Sequence, residues 1–296
     1  MSTDDHNDAH FLHARVGLQQ VLHVPVEEPR ALARIPAREG FLIGNKSGEL
    51  LELDPLMGTR TIGTFDEEIA ALAATRRGSR ILVVGRGGGW YIVDRKGNVM
   101  RSGEHPYVAG LYAWSFGQEF VLGGQNDTTT GVHILSEGGS RSTELPHEAV
   151  LIGSEESQTV VWSEPEGLQR RALGAAYADQ EERTAHNLRV SGVHVLGYTP
   201  GGVCLWDSEG NSQSVRWRDP VAGDVDPSGA WLAVASRQGE LGFTPVVAGT
   251  PIARPVVVEL EEEAAVRALC FSAKRSWLAS AGDGVRLWTW DEPKRF

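Results

Sequence analysis

The sequence predicts an all-β chain built from one antiparallel supersecondary unit repeated seven times. Three observations predict it. Short apolar runs alternate with polar turns, and no run reaches helical length before a turn signal interrupts it. Glycines recur at near-constant intervals, each opening a short strand-like run. A second landmark, a polar turn flanked by apolar runs, precedes those glycines in phase.

The last unit is the clearest. Residues 264–290, AAVRALCFSAKRSWLASAGDGVRLWTW, divide into VRALCF, the turn SAKR, SWLASAG, an Asp283-Gly284 turn and VRLWTW. With Gly284 as the reference, the series upstream is Gly48, Gly89, Gly131, Gly167, Gly202 and Gly239, in steps of 35 to 45 residues. Three positions after them stand Leu51, Ile92, Ile134, Arg170, Leu205, Gly242 and Leu287. Five of these seven are large and apolar, so one strand face is systematically buried. The turns PARE, RRGS, SFGQ, SEES, DPSG and SAKR begin 12 to 16 residues before the reference glycines. The fifth unit lacks such a turn, and its 184–188 stretch is a poor first strand.

On Phe271-Ser272, Leu278-Ala279-Ser280 and the run Asp283-Gly284-Val285-Arg286-Leu287-Trp288, the last unit resembles a WD-repeat β-propeller blade. Elsewhere the resemblance is one of pattern. Trp206-Asp207 is a strict WD dipeptide, but the Gly-His pair of the family is missing throughout. The family's Asp–His–Ser–Trp hydrogen-bond set therefore cannot be assembled as a whole. Blade ends such as LELDPLMG, YIVDRKG and LWDSEG also resemble quinoprotein-type turns.

The resemblance implies a seven-bladed β-propeller of four-stranded antiparallel blades in a single domain over residues 13–296. The blades are expected near 29–63, 64–103, 104–144, 145–180, 181–218, 219–260 and 261–290. The last shows three strands before the chain runs out, whereas 14–26 reads as a strand ahead of the first full blade. The family pattern places that strand on the last blade as its outer edge, closing the ring and covering an exposed sheet edge. Residues 1–12 are too polar to fold alone and are expected to be a disordered tail.

Composition narrows the function. The 296 residues are 41% hydrophobic, enough for a sizeable core, and carry 35 glycines for many tight turns. A net charge of −11 argues against a nucleic-acid-binding surface. Cys204 and Cys270 lie inside apolar runs and are expected to be buried free thiols of a reducing compartment. The N-terminus lacks a signal-peptide pattern, and no apolar run is long enough to span a membrane. A cytoplasmic protein, monomeric alone, is the expectation.

The search for chemistry returns little. His6, His10 and His13 have metal-like spacing but sit in the acidic tail. No nucleophile-elbow motif occurs, and the Gly87-Gly88-Gly89 stretch has no Lys-Ser/Thr ending, so it reads as a loop between strands. No catalytic residue, metal or cofactor is assigned. In WD-type propellers, the loops before the first strand and between the second and third share the partner-binding face. Carried onto this chain, that face offers Lys46, Arg86, Gln125, Asn126, Asp127, Tyr198, Arg237 and Asp283, with Tyr107 and Glu262 from inter-blade loops. The loop 123–131, GGQNDTTTG, is the longest of them. A non-catalytic scaffold or adaptor that binds another protein is the expected function. The alternative is a small-molecule-binding or enzymatic propeller using its central channel.

Overall fold

The computed structural model describes residues 18–146, 149–153, 158–164, 167–172, 185–191, 194–199, 201–207, 211–246, 255–260, 265–274 and 277–290. All regular structure there is strand. β1 (Leu18–Val24) leads, followed by β2 (Pro29–Ile35), β3 (Gly40–Asn45), β4 (Glu49–Asp54) and β5 (Gly58–Thr64). The second group is β6 (Ile69–Ala74), β7 (Arg80–Gly85), β8 (Gly89–Asp94) and β9 (Val99–Glu104). The third is β10 (Ala109–Phe116), β11 (Glu119–Gln125), β12 (Thr130–Ser136) and β13 (Gly139–Leu145). The fourth is β14 (Val150–Gly153), β15 (Gln158–Glu164) and β16 (Gly167–Ala172). The fifth is β17 (His186–Ser191), β18 (His194–Thr199), β19 (Gly202–Trp206) and β20 (Ser212–Arg216). The sixth is β21 (Pro220–Val225), β22 (Trp231–Ser236), β23 (Glu240–Pro245) and β24 (Val256–Glu259). Last come β25 (Ala268–Phe271), β26 (Leu278–Ala281) and β27 (Val285–Trp290).

Each group forms one antiparallel sheet in sequence order, and β1 adds to the last in the order β1-β27-β26-β25. Leu18 lies opposite Trp290 and Val24 opposite Val285. Six of these sheets have four strands. The fourth sheet has three among the described residues. Of the seven four-stranded blades expected, six stand among the described residues, and the stretch where the fourth strand of the remaining one was expected lies outside them. The first strand of the fifth sheet also falls at His186–Ser191, a few residues later than its sequence placement.

Every reference glycine stands at or next to the start of a third strand, and the physical reason is visible at Gly48. Its φ is +87°, and a Cβ there would lie 2.0 Å from the Phe65 carbonyl oxygen. Phe65 N–H donates back to the Gly48 carbonyl at 2.9 Å. The chain leaving the sheet thus presses against the start of its third strand, where only a residue without a side chain fits. His105 N–H to the Gly88 carbonyl (2.7 Å) and Leu260 N–H to the Gly239 carbonyl (3.3 Å) repeat the contact.

The core lies between sheets rather than within one. Middle strands such as β3 and β22 are buried along their whole length, whereas the outer strand β5 is mostly exposed. Among the described residues, each apolar cluster joins two sheets consecutive in the chain. A further cluster joins Phe41, Ile43 and Leu53 of the first sheet to Ala279, Val285 and Leu287 of the last. Between the sixth and seventh sheets the rings are aromatic: Phe243 lies 4.8 Å from Trp231 and 5.0 Å from Trp290, centroid to centroid.

Candidate functional site

The fold presents two candidate sites, a set of loops at one end of the strands and a cavity bordered by the first strands. Antiparallel pairing sets the loop between a sheet's second and third strands beside the segment that enters its first. The backbone fixes this in two sheets by the same device. Lys46 N–H donates to the Glu28 carbonyl (3.1 Å), and Arg237 N–H to the Asp219 carbonyl (3.0 Å). Glu28 and Asp219 hold positive φ, 39° and 46°, each immediately before a proline. That backbone conformation is costly for a residue with a side chain, and the cross-loop bond helps hold it.

Side chains extend the connection across sheets. Lys46 Nζ lies 2.9 Å from Glu28, which pairs with Arg30 at 3.0 Å; Arg30 also faces Glu68 at 3.7 Å, and Glu68 pairs with Arg86 at 2.9 Å. This five-residue ladder of alternating charge runs from the first sheet to the second. In the third sheet, Asn126 Oδ1 accepts from Thr128 N–H (3.0 Å) and Thr129 N–H (2.7 Å), which orders the longest loop and leaves Asp127 exposed.

The other residues named from sequence divide. Arg237 and Asp283 are exposed, Asp283 being paired with Arg286 at 2.7 Å, and Gln125 is half-buried at the end of β11. Tyr107 and Tyr198 are not rim groups. Both are buried, at 4% and 7% exposure. Tyr107 stacks on His105 at 5.8 Å and meets His133 edge-on at 5.5 Å, wedged between the second and third sheets. Tyr198 belongs to the cluster between the fifth and sixth sheets. An aromatic ring with so much apolar area gains more from an inter-sheet seam than from solvent. Glu262 and the tail histidines His6, His10 and His13 lie outside the described residues.

The glycine loop is accounted for internally. Glu67 Oε2 accepts from Gly87 N–H at 2.6 Å, and its other oxygen lies 3.3 Å from the Tyr91 hydroxyl. A Cβ at Gly85 would fall 1.9 Å from the Glu67 carboxyl carbon. The loop is an anion nest filled by the protein's own carboxylate. Likewise, Asp54, Asp94 and Asp207 accept backbone N–H groups within their own third-to-fourth-strand turns. They are Asx turns. Among the described residues no group of three or more His, Cys, Asp or Glu could hold a metal ion, and no helix is long and apolar enough to cross a membrane.

The cavity, about 870 Å³, is lined by residues of the first strand of every sheet, including Ala31, Leu72, Trp114, Val150, Leu188, Gly223 and Leu269. First strands pair on one side only, so their other backbone edge needs partners. Neighbouring sheets supply them: Ser115 Oγ donates to the Ala74 carbonyl at 2.6 Å, and Leu151 N–H donates to the Tyr112 hydroxyl oxygen at 3.3 Å. Arg34 of the first sheet reaches Asp224 of the sixth at 2.9 and 3.1 Å, and Asp224 also accepts from Phe271 N–H of the seventh at 2.7 Å. Burial is the largest single influence and works against the Arg34 charge, but Asp224, Cys270 and Asp226 together outweigh it and hold the guanidinium pKa above its ordinary value.

Radial sheets around a common axial cavity match a solved structure, the β-propeller domain of Cps50 (Swd1) from Myceliophteria thermophila, with a TM-score of 0.73. The match covers 92% of this chain and 99% of that one at 13% identity. The fold is a β-propeller. No protein-family model and no curated protein matches the sequence. At that identity the likeness is one of fold. In the propeller's last blade the Trp288 indole N–H donates to Ser280 Oγ at 2.9 Å, both residues being buried.

Sequence reasoning missed the Arg34–Asp224 pair and the Glu67 nest. The one available signal for the nest was the glycine density of residues 85–89. The pair joins residues 190 positions apart and left no local signal.

Proposed function

We propose that this propeller is a non-catalytic protein-interaction scaffold, a seven-bladed ring completed by β1 that binds another protein on its second-to-third-strand loops. One observation carries the reading. The Lys46–Glu28–Arg30–Glu68–Arg86 ladder presents fixed, partly exposed charges of both signs across two blades, on loops tied down by backbone bonds. A pre-ordered surface loses little conformational entropy on binding, and mixed charge selects register and partner more than it adds raw affinity. Asp127, Arg237 and Asp283 extend the same kind of surface to other blades. The accounting of Asp54, Asp94, Asp207 and Glu67 in their own loops supports a binding role over acid–base chemistry.

The test is affinity capture from native lysate with three baits. Wild type should retain a partner that Arg86→Glu/Asp127→Lys loses. Leu56→Ser/Met57→Ser, in the third-to-fourth-strand turn of the first blade, should retain it. A partner lost only with the second variant would move the interface to the opposite loops and sink this assignment.

A further inference from the structure

We propose that the axial cavity binds a small organic anion, a carboxylate or phosphate ester carried on an apolar body. The site is separate from the loop surface, and the proposal does not depend on it. Among the described residues its charged lining is Arg30, Arg34, Arg189, Arg267 and a single acid, Asp224. Arg34 is matched by Asp224, whose carboxylate also holds the Phe271 amide. Arg30 is held at one mouth by Glu28 and Glu68.

Arg189 and Arg267 remain. Both are exposed on the cavity and make no ion pair among the described residues. The acid that acts on Arg267, Glu28, is already shared by Arg30 and Lys46. A cationic recess in a chain of net charge −11 runs against the overall composition.

The physical consequences favour an anion. A concave site lined by one sign of charge focuses its field and raises the local concentration of counter-ions. Guanidinium groups match carboxylate and phosphate oxygens with two parallel hydrogen bonds. The remaining wall is largely apolar, with Leu72, Leu111, Trp114, Leu188 and Leu269 among alanines. A volume of about 870 Å³ suits a drug-sized molecule, and few polar groups amid apolar walls are what such sites use to fix orientation. A free inorganic ion would leave the apolar wall unused. The one serine hydroxyl among the described lining residues, Ser115, is engaged with the Ala74 carbonyl.

Isothermal titration of the full chain with phenyl phosphate, phenylacetate and inorganic phosphate tests this. At least one aryl anion should bind, and the better of the two identifies the head group. Arg189→Gln and Arg267→Gln should each weaken it by about tenfold or more, with unchanged circular dichroism and melting. Arg141→Gln, on the outer strand β13, should leave it unchanged. The proposal is overturned if neither aryl anion binds up to about 10 mM, if the cavity variants bind like wild type, or if Arg141→Gln weakens binding equally. Inorganic phosphate binding as tightly as phenyl phosphate would overturn the apolar-body requirement.

Discussion

Arg34 and Asp224 lie 190 residues apart in sequence and 2.9 Å apart in space, joining the first blade to the sixth past the edge of the seventh. The pair does two things at once. It neutralises a guanidinium drawn toward the axis, and it orients a carboxylate that satisfies the free edge of β25 through Phe271 N–H. Asp224→Asn should therefore destabilise by about 2–3 kcal/mol, because a partly buried charge and an edge amide both lose their partner. A double-mutant cycle with Arg34→Met should show strong coupling in chemical denaturation. Additive losses would mean the two residues act independently.

Trp288 is 3% exposed, and its N–H is spent on Ser280. Trp288→Ala should cost on the order of 3–5 kcal/mol. Trp288→Phe should recover most of the packing and lose about 1 kcal/mol for the hydrogen bond. Urea melts of the two variants separate the contributions. Equal losses would show that the hydrogen bond, not the ring volume, dominates.

The β1–β27 pairing predicts a sharp boundary in truncation. Removing residues 1–12 should leave the melting temperature nearly unchanged. Removal through Val24 deletes β1, exposes the edge of β27 and should strongly destabilise or aggregate the protein. Thermal melts with light scattering decide it, and a longer deletion that melts like the full chain would refute a stabilising role for β1.

Desolvation lowers the pKa of His105, His133 and His194 below the ordinary value of 6.5. His105 is also committed by geometry: Nε2 donates to the Gly85 carbonyl at 3.0 Å, and Nδ1 accepts from Tyr107 N–H. The unfolded chain then binds these protons more readily than the folded one. Their contribution to stability is fully present above about pH 6.5 and declines as pH falls toward the depressed folded values. Urea midpoints between pH 5 and 8 should fall on the acid side, and His105→Gln should reduce the slope. A flat profile would show that these rings titrate as in solution.

Cys270 is buried, and desolvation first, then the nearby Asp224 charge, push its thiol up to about 12 despite Arg34. Burial raises Cys204 as well. A thiolate-selective reagent at pH 8 should label Cys270 only after denaturation. Rapid labelling in the native state would show that the last two blades open locally.

The repeat was legible because its markers are local. Glycines at strand starts answer to one close backbone approach, and alternation answers to one buried face, so Gly48 and Gly284 could be matched without knowing what they touch. The loop residues were legible in part. Lys46, Arg86 and Asn126 fall where their strand positions put them, whereas Tyr107 and Tyr198 were misread because a polar tip on an aromatic ring suits a loop and a seam equally.

The sequence by itself determined the strand-and-turn period, the all-β class, the free thiols and the acidic balance, because each depends on composition or on neighbours a few residues away. Only the tertiary structure decided that Glu67 fills its own glycine nest. It alone set Arg34 on Asp224 and gathered Arg189 and Arg267 around one cavity. Those contacts join residues brought together by the stacking of sheets around an axis, and the spacing along the chain carries no record of them.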